Sequence, residues 1–74
     1  MEEWKFEFTD AKTFWIATVN TKRHSGWYAT GKTKFKAASN LLTKIDDSPT
    51  DEWRNVEQAV IPVQEWIMKQ LIAN

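Results

Sequence analysis

Hydrophobic and polar positions alternate near the start of the chain. Trp4, Phe6 and Phe8 fall on one side, and Lys5 and Glu7 on the other. This period of two is the pattern of a half-buried strand, and it predicts a strand over residues 4–8. Thr9, Asp10, Ala11 and Lys12 read as a turn. Residues 13–19 alternate again, with Phe14, Ile16 and Thr18 on one face and Trp15, Ala17 and Val19 on the other. Both faces are largely apolar, which suits a central strand covered on both sides. Residues 20–26 are polar and basic and read as a loop. Residues 27–30 form a short third strand that ends at Gly31.

The period then changes. Thr33 is placed to cap a helix, because its hydroxyl can accept an otherwise unpaired backbone N–H. From there to Ile45, the residues Phe35, Ala38, Leu42 and Ile45 recur at helical spacing, and Leu41 widens the stripe. Residues 46–50 include Asp-Asp-Ser-Pro, which reads as a turn. Asp51 and Glu52 put acids at the positive end of a second helix. Its apolar residues Trp53, Val56, Val60, Val63 and Ile67 follow a 3-4-3-4 spacing. Pro62 lacks an N–H, so it either kinks this helix or starts a new one. The expected fold is α+β: a three-stranded antiparallel meander followed by two helices packed on one face of the sheet, β-β-β-α-α.

Composition narrows the class. Seventy-four residues make one domain, spanning residues 1–74. A chain this short buries only about 60% of the surface that its unfolded form exposes. It has no cysteine, so no disulfide can staple it and no thiolate can hold a metal. Five tryptophans and four phenylalanines must supply most of the core, and some of them are candidates for an interface. No apolar run approaches the roughly 20 residues of a membrane span. The acidic Met-Glu-Glu-Trp start is unlike a secretion signal. The expectation is therefore a soluble cytoplasmic protein with no membrane partner.

The net charge is zero, but its distribution is uneven. Residues 1–10 carry −3, residues 11–45 carry +7 with no acid, and residues 46–74 carry −4. Such asymmetry points to one basic face on an otherwise acidic protein. Within the basic segment, Lys32, Lys34 and Lys36 crowd the start of the predicted helix, where cations oppose the helix dipole at roughly 0.3–1 kcal/mol each. A local rule broken three times marks a candidate anion site. Lys22, Arg23 and His24 in the preceding loop extend it, and Trp27 and Tyr28 add aromatic surface. The alternative reading of the same lysines is a solvated basic edge.

Residues 26–33 also match the phosphate-loop pattern G-x-x-x-x-G-K-[ST]. Trp27 and Tyr28 in its middle suit a strand better than a phosphate loop, and the chain is too short for the parallel sheet that usually carries the motif. Catalysis finds little support. His24 is the sole histidine and neighbours Ser25, but no acid in residues 11–45 could orient it. No ligand set for zinc is present, and no cofactor is implied.

The segment Gly31-Lys-Thr-Lys-Phe-Lys-Ala-Ala-Ser-Asn-Leu-Leu42 resembles the last strand-to-helix unit of double-stranded-RNA-binding domains. The resemblance implies that Lys34 contacts phosphate, assisted by Lys32 and Lys36. The same stretch is similar to the β-β-β-α unit of HicB-type antitoxins, with Ala37 and Asn40 at matching positions, which implies a small protein as partner. Size and tryptophan content suit the compact inhibitors and regulators encoded by phages and mobile elements. The expected function is thus a non-enzymatic interaction protein that engages an acidic host macromolecule, such as a host protein surface, through the basic, aromatic surface. The alternative is nucleic-acid binding, with lysines on phosphates and an aromatic ring stacked on a base. Trp53, Trp66, Ile61, Met68 and Ile72 do not all fit one stripe on the last helix, which suggests that it packs on a second surface, either another copy of the chain in a homodimer or a target protein.

Overall fold

The computed structural model describes residues 3–22, 26–47 and 53–73. Three strands come first: β1 (Lys5–Asp10), β2 (Trp15–Asn20) and β3 (Trp27–Gly31). Two helices follow: α1 (Lys34–Asp46) and α2 (Trp53–Ala73). The strands form one antiparallel sheet in the order β1-β2-β3, so the expected meander and its α+β class are what the chain adopts.

The register explains the alternation. Phe6 pairs with Val19 and Phe8 with Ala17, and Ala17 and Val19 pair with Ala29 and Trp27. These residues share one face, and both helices pack on it. The other face carries Lys5, Glu7, Thr9, Ile16, Thr18, Tyr28 and Thr30, and none of them is buried. The expectation of a central strand covered on both sides is therefore corrected. Both helices follow the sheet in sequence and lie on the same face. Ile16 is only half-buried, flanked across the strands by Thr9 and Thr30.

The first turn lies further along the chain than the pattern predicts. Thr9 and Asp10 remain in β1, and Asp10 pairs with Trp15. The Asp10 carboxylate accepts the Lys12 N–H at 2.8 Å, and Lys12 takes a left-handed backbone with φ 76°. The Ala11 N–H then closes the hairpin on the Phe14 carbonyl at 3.0 Å. Thr13 and Phe14 thus belong to the turn and not to β2. At the next connection Gly26 has φ 70°, and a Cβ there would come within 1.8 Å of the Val19 carbonyl oxygen, so only glycine fits.

Thr33 caps α1 as expected: its hydroxyl accepts the Lys36 N–H at 3.0 Å. The helix buries Ala37, Ala38, Leu41 and Ile45. Phe35 does not join them and is 41% exposed, because it lies about 100° around the helix from Lys34, which begins the buried row. The first turn of α1 holds no acid.

Pro62 neither starts nor ends a helix. It lies inside α2, whose 21 residues span roughly 31 Å at 1.5 Å each. This nearly matches the longest dimension of the molecule, 33 Å. Asp51 and Glu52, expected to open α2, and Ser48, Pro49 and Thr50 of the expected turn lie outside the described residues. Among the described residues, no helix is long and apolar enough to cross a membrane.

The buried centre is small. Ala17, Ala29, Ala37, Ala38 and Ala59 line it together with Val19, Leu41, Ile45 and Val63. The large rings ride around this centre, only partly covered: Trp4, Phe6, Phe8, Trp15, Trp27 and Trp66. Trp66 of α2 packs on Phe8 at 4.8 Å and on Phe6 at 6.2 Å between ring centroids. Such pairs contribute about 0.5–1.5 kcal/mol beyond the area they bury.

Candidate functional site: a cleft at the start of α1

Gly31 brings α1 unusually close to the sheet. A Cβ on Gly31 would lie 2.5 Å from the Ala37 nitrogen, so glycine is what lets the helix begin directly beside β3. The chain leaves the strand, passes Lys32 and Thr33, and enters α1 at Lys34. This places the first turn of α1 over the end of the sheet where β2 begins. The C-terminal half of α2 crosses the same end. Between them lies an open cleft of about 500 Å³, lined by Trp15, Lys32, Thr33, Lys34, Phe35, Trp66 and Gln70.

Lys34 sits in the same row of α1 as the buried Ala38, Leu41 and Ile45. Its ammonium therefore lies over the covered face of the sheet, 4.8 Å from the Trp15 ring and 5.8 Å from the Phe8 ring. Both distances fall within the roughly 6 Å at which a cation is attracted to a ring face, an effect of about 0.5–1 kcal/mol where water has access. The rings hold the charge at the mouth of the cleft. Lys32 adds a second cation, Trp15, Phe35 and Trp66 supply aromatic walls, and among the described residues no acid lines the cleft. The nearest acid in β1, Asp10, is turned back onto the Lys12 N–H.

The structure separates the predicted site residues. Lys32 and Lys34 come together in the cleft. Lys36 is exposed and lies about 200° around the helix from Lys34, so it faces elsewhere. It begins the row that continues to Asn40 and Lys44, above the outer edge of β3. There the Asn40 amide donates to the Thr30 carbonyl at 2.8 Å, and the Lys44 ammonium sits 4.2 Å from the Tyr28 ring centroid. Tyr28 is 59% exposed on the open face of the sheet. Trp27 points to the opposite, helix-covered face and stacks on Trp4 at 5.8 Å. Lys22 is exposed at the far end of the sheet, separated from Lys32 by the length of β3, roughly 13 Å. Arg23 and His24 lie outside the described residues. The single basic edge drawn from the sequence thus divides into the cleft, the β3 edge and the far loop.

Sequence reasoning did not place Trp15, Phe35 or Gln70 in a site, and it offered Trp66 only as part of a second surface on the last helix. Trp66 and Gln70 are four residues apart, one helical turn, which puts them on one face of α2. Nothing in the sequence says that this face meets Trp15.

Residues 27–31 of the phosphate-loop match are strand, paired with β2 through Thr18–Tyr28, Ala17–Ala29 and Ile16–Thr30. Successive N–H groups in a strand point in opposite directions, so the phosphate cradle does not form. Among the described residues, no group of three metal-binding side chains comes together. Comparison with protein-family models, with curated proteins and with solved structures finds no match.

Proposed function

We propose that this chain is a non-enzymatic binding module that takes an acidic, partly apolar segment of a protein partner into the cleft at the start of α1. One observation carries this reading: two cations and three aromatic walls share a single open cleft whose lining, among the described residues, contains no acid. Aromatic rings in a partly desolvated pocket are the usual anchors of protein interfaces, and charged groups at the rim set orientation and encounter rate. An acidic residue of the partner would meet Lys32 and Lys34 while a neighbouring apolar side chain enters between Trp15, Phe35 and Trp66. A compact protein that binds in this way suits the role of an intracellular inhibitor or regulator that covers a surface of a larger host protein.

Protein is favoured over nucleic acid as the partner because the cations do not track a line. Lys32 and Lys34 occupy the cleft, while Lys36 and Lys22 face other directions. A phosphate backbone needs cations spread along one groove.

The test uses fluorescently labelled peptides that pair aspartates or glutamates with one leucine, phenylalanine or tryptophan. Poly-glutamate, single-stranded DNA and double-stranded RNA serve as comparisons. The expected result is binding of the mixed peptides, poorer binding of poly-glutamate, and loss of about tenfold or more in the Lys34→Glu variant. Raising salt should weaken the mixed peptides only modestly. Preferential binding of either nucleic acid, falling steeply with salt through counterion release, would overturn the reading in favour of phosphate recognition.

A further inference from the structure

The two edges of the sheet are treated differently. The outer edge of β3 is met by α1, whose Asn40 takes up the Thr30 carbonyl. β1 forms the other edge. Among the described residues, no helix or loop bonds to the outward backbone groups of Lys5–Asp10. The strand is six residues long and contains no proline and no glycine. An uncovered edge of this kind is a template for another strand.

We propose that the occupant is β1 of a second copy of this chain, paired antiparallel about a two-fold axis at Phe6. The charges select this register. In an antiparallel pair that keeps all helices on one side, residues directly opposite each other lie on the same face of the sheet. With Phe6 opposite Phe6 of the second copy, Lys5 faces Glu7 of the second copy and Glu7 faces its Lys5. A centre on Lys5 or on Glu7 would instead set like charges opposite each other, which is destabilising. Lys5 and Glu7 are both exposed on the open face, where such pairs can form. On the other face, Trp4 meets Phe8 of the second copy, and the row of rings continues across the junction.

α2 lies over β1 through Trp66, whereas α1 lies along β3. A two-fold at β1 therefore sets the two α2 helices side by side on one face of a six-stranded sheet. Ile61, Met68 and Ile72 form an exposed stripe on α2, at 47%, 59% and 78% exposure. Five-residue strand pairing alone makes a weak dimer, and apolar area from the helices is what a stable interface adds. The dimer is isologous, so each contact occurs twice.

Sedimentation velocity from micromolar to millimolar protein tests the proposal, using the full chain and the variants Lys5→Glu, Glu7→Lys and the double swap. Both positions are exposed, and circular dichroism verifies that each variant folds. The wild type should dimerise. Each single variant turns two opposite-charge pairs into like-charge pairs and should raise the dissociation constant about tenfold. The double swap restores the pairs and should return the constant to within about threefold. A wild type that stays monomeric, a dimer indifferent to the single changes, or a double variant no tighter than the singles would each overturn the proposal. Hydrogen exchange of the wild type gives an independent reading. The β1 amides should gain protection as concentration rises, and unchanged β1 exchange across a monomer–dimer transition would place the interface elsewhere.

Discussion

Gly31→Ala is the smallest change that should loosen the whole molecule. The added methyl carbon would lie 2.5 Å from the Ala37 nitrogen, 2.7 Å from the Lys36 carbonyl carbon and 2.9 Å from the Ala37 Cα. All three are backbone atoms, so no side-chain rotation relieves the clash. Reaching the 3.4 Å of ordinary contact requires α1 to move off β3 by roughly 0.9 Å. A gap of that size forfeits about a quarter to a half of the dispersion attraction across it. The packing lost involves Ala37, Ala38 and Leu41, all fully buried. Overpacking of this kind costs about 1–3 kcal/mol. The variant also recovers about 0.4–1 kcal/mol by restricting the unfolded chain. The net expectation is a loss of about 1–2 kcal/mol, or a fall in Tm of roughly 4–16 °C for a domain of this size. Thermal unfolding followed by circular dichroism measures it. Because the obstacle is backbone, trimming the neighbouring side chain in Gly31→Ala/Ala37→Gly should not restore stability. An unchanged or raised Tm for Gly31→Ala would refute the close approach of α1 to β3. It would also remove the basis for the cleft, whose lysines follow directly from Gly31.

Three further outcomes are expected. Thr33→Ala removes the hydroxyl that accepts the Lys36 N–H and should cost about 1 kcal/mol in denaturant unfolding, whereas Thr33→Asp should retain the cap. Pro62→Ala should stabilise the protein by about 1–3 kcal/mol, since α2 runs through this position unbroken and proline costs about 3 kcal/mol in a helix interior; a lower denaturation midpoint would show instead that the ring is needed for packing. Asn40→Ala frees the Thr30 carbonyl at the β3 edge and should cost about 1 kcal/mol, with faster exchange of α1 and β3 amides as the local readout.

The sheet and both helices are legible in the sequence because each element obeys a single period. β1 alternates cleanly, and the α1 cap and the buried row ending at Ile45 follow from helical spacing. The first hairpin is less legible. Thr13 and Phe14 have strand-like side chains, while the turn is set by the left-handed backbone of Lys12, a residue type that does not advertise it. Coverage of β2 is misread for a related reason: Ile16 looks like core, but a chain with only two consecutive helices covers one face. The site is the least legible part. Residues one or two positions apart in sequence are sent to different faces by the pleat, as with Trp27 and Tyr28, or by the helical turn, as with Lys34 and Lys36. Conversely, Trp15 and Trp66 are distant in sequence and line one cleft only because α2 passes the end of the sheet where β2 begins. Local spacing carries no record of that crossing.

The alanine centre and its aromatic rim have a thermodynamic consequence. Here, among the described residues, the buried middle consists of five alanines and four branched aliphatic residues, and the large rings are left only partly covered at the border. A partner that covers Trp15, Phe35 and Trp66, as proposed, would add apolar burial to the folded state alone, so its binding and the stability of the fold would be linked. A partner present at a hundred times its dissociation constant adds about 2.7 kcal/mol to the folded state. For a chain of this length that is a substantial share of the total, and the melting temperature itself becomes a gauge of whether the protein is engaged.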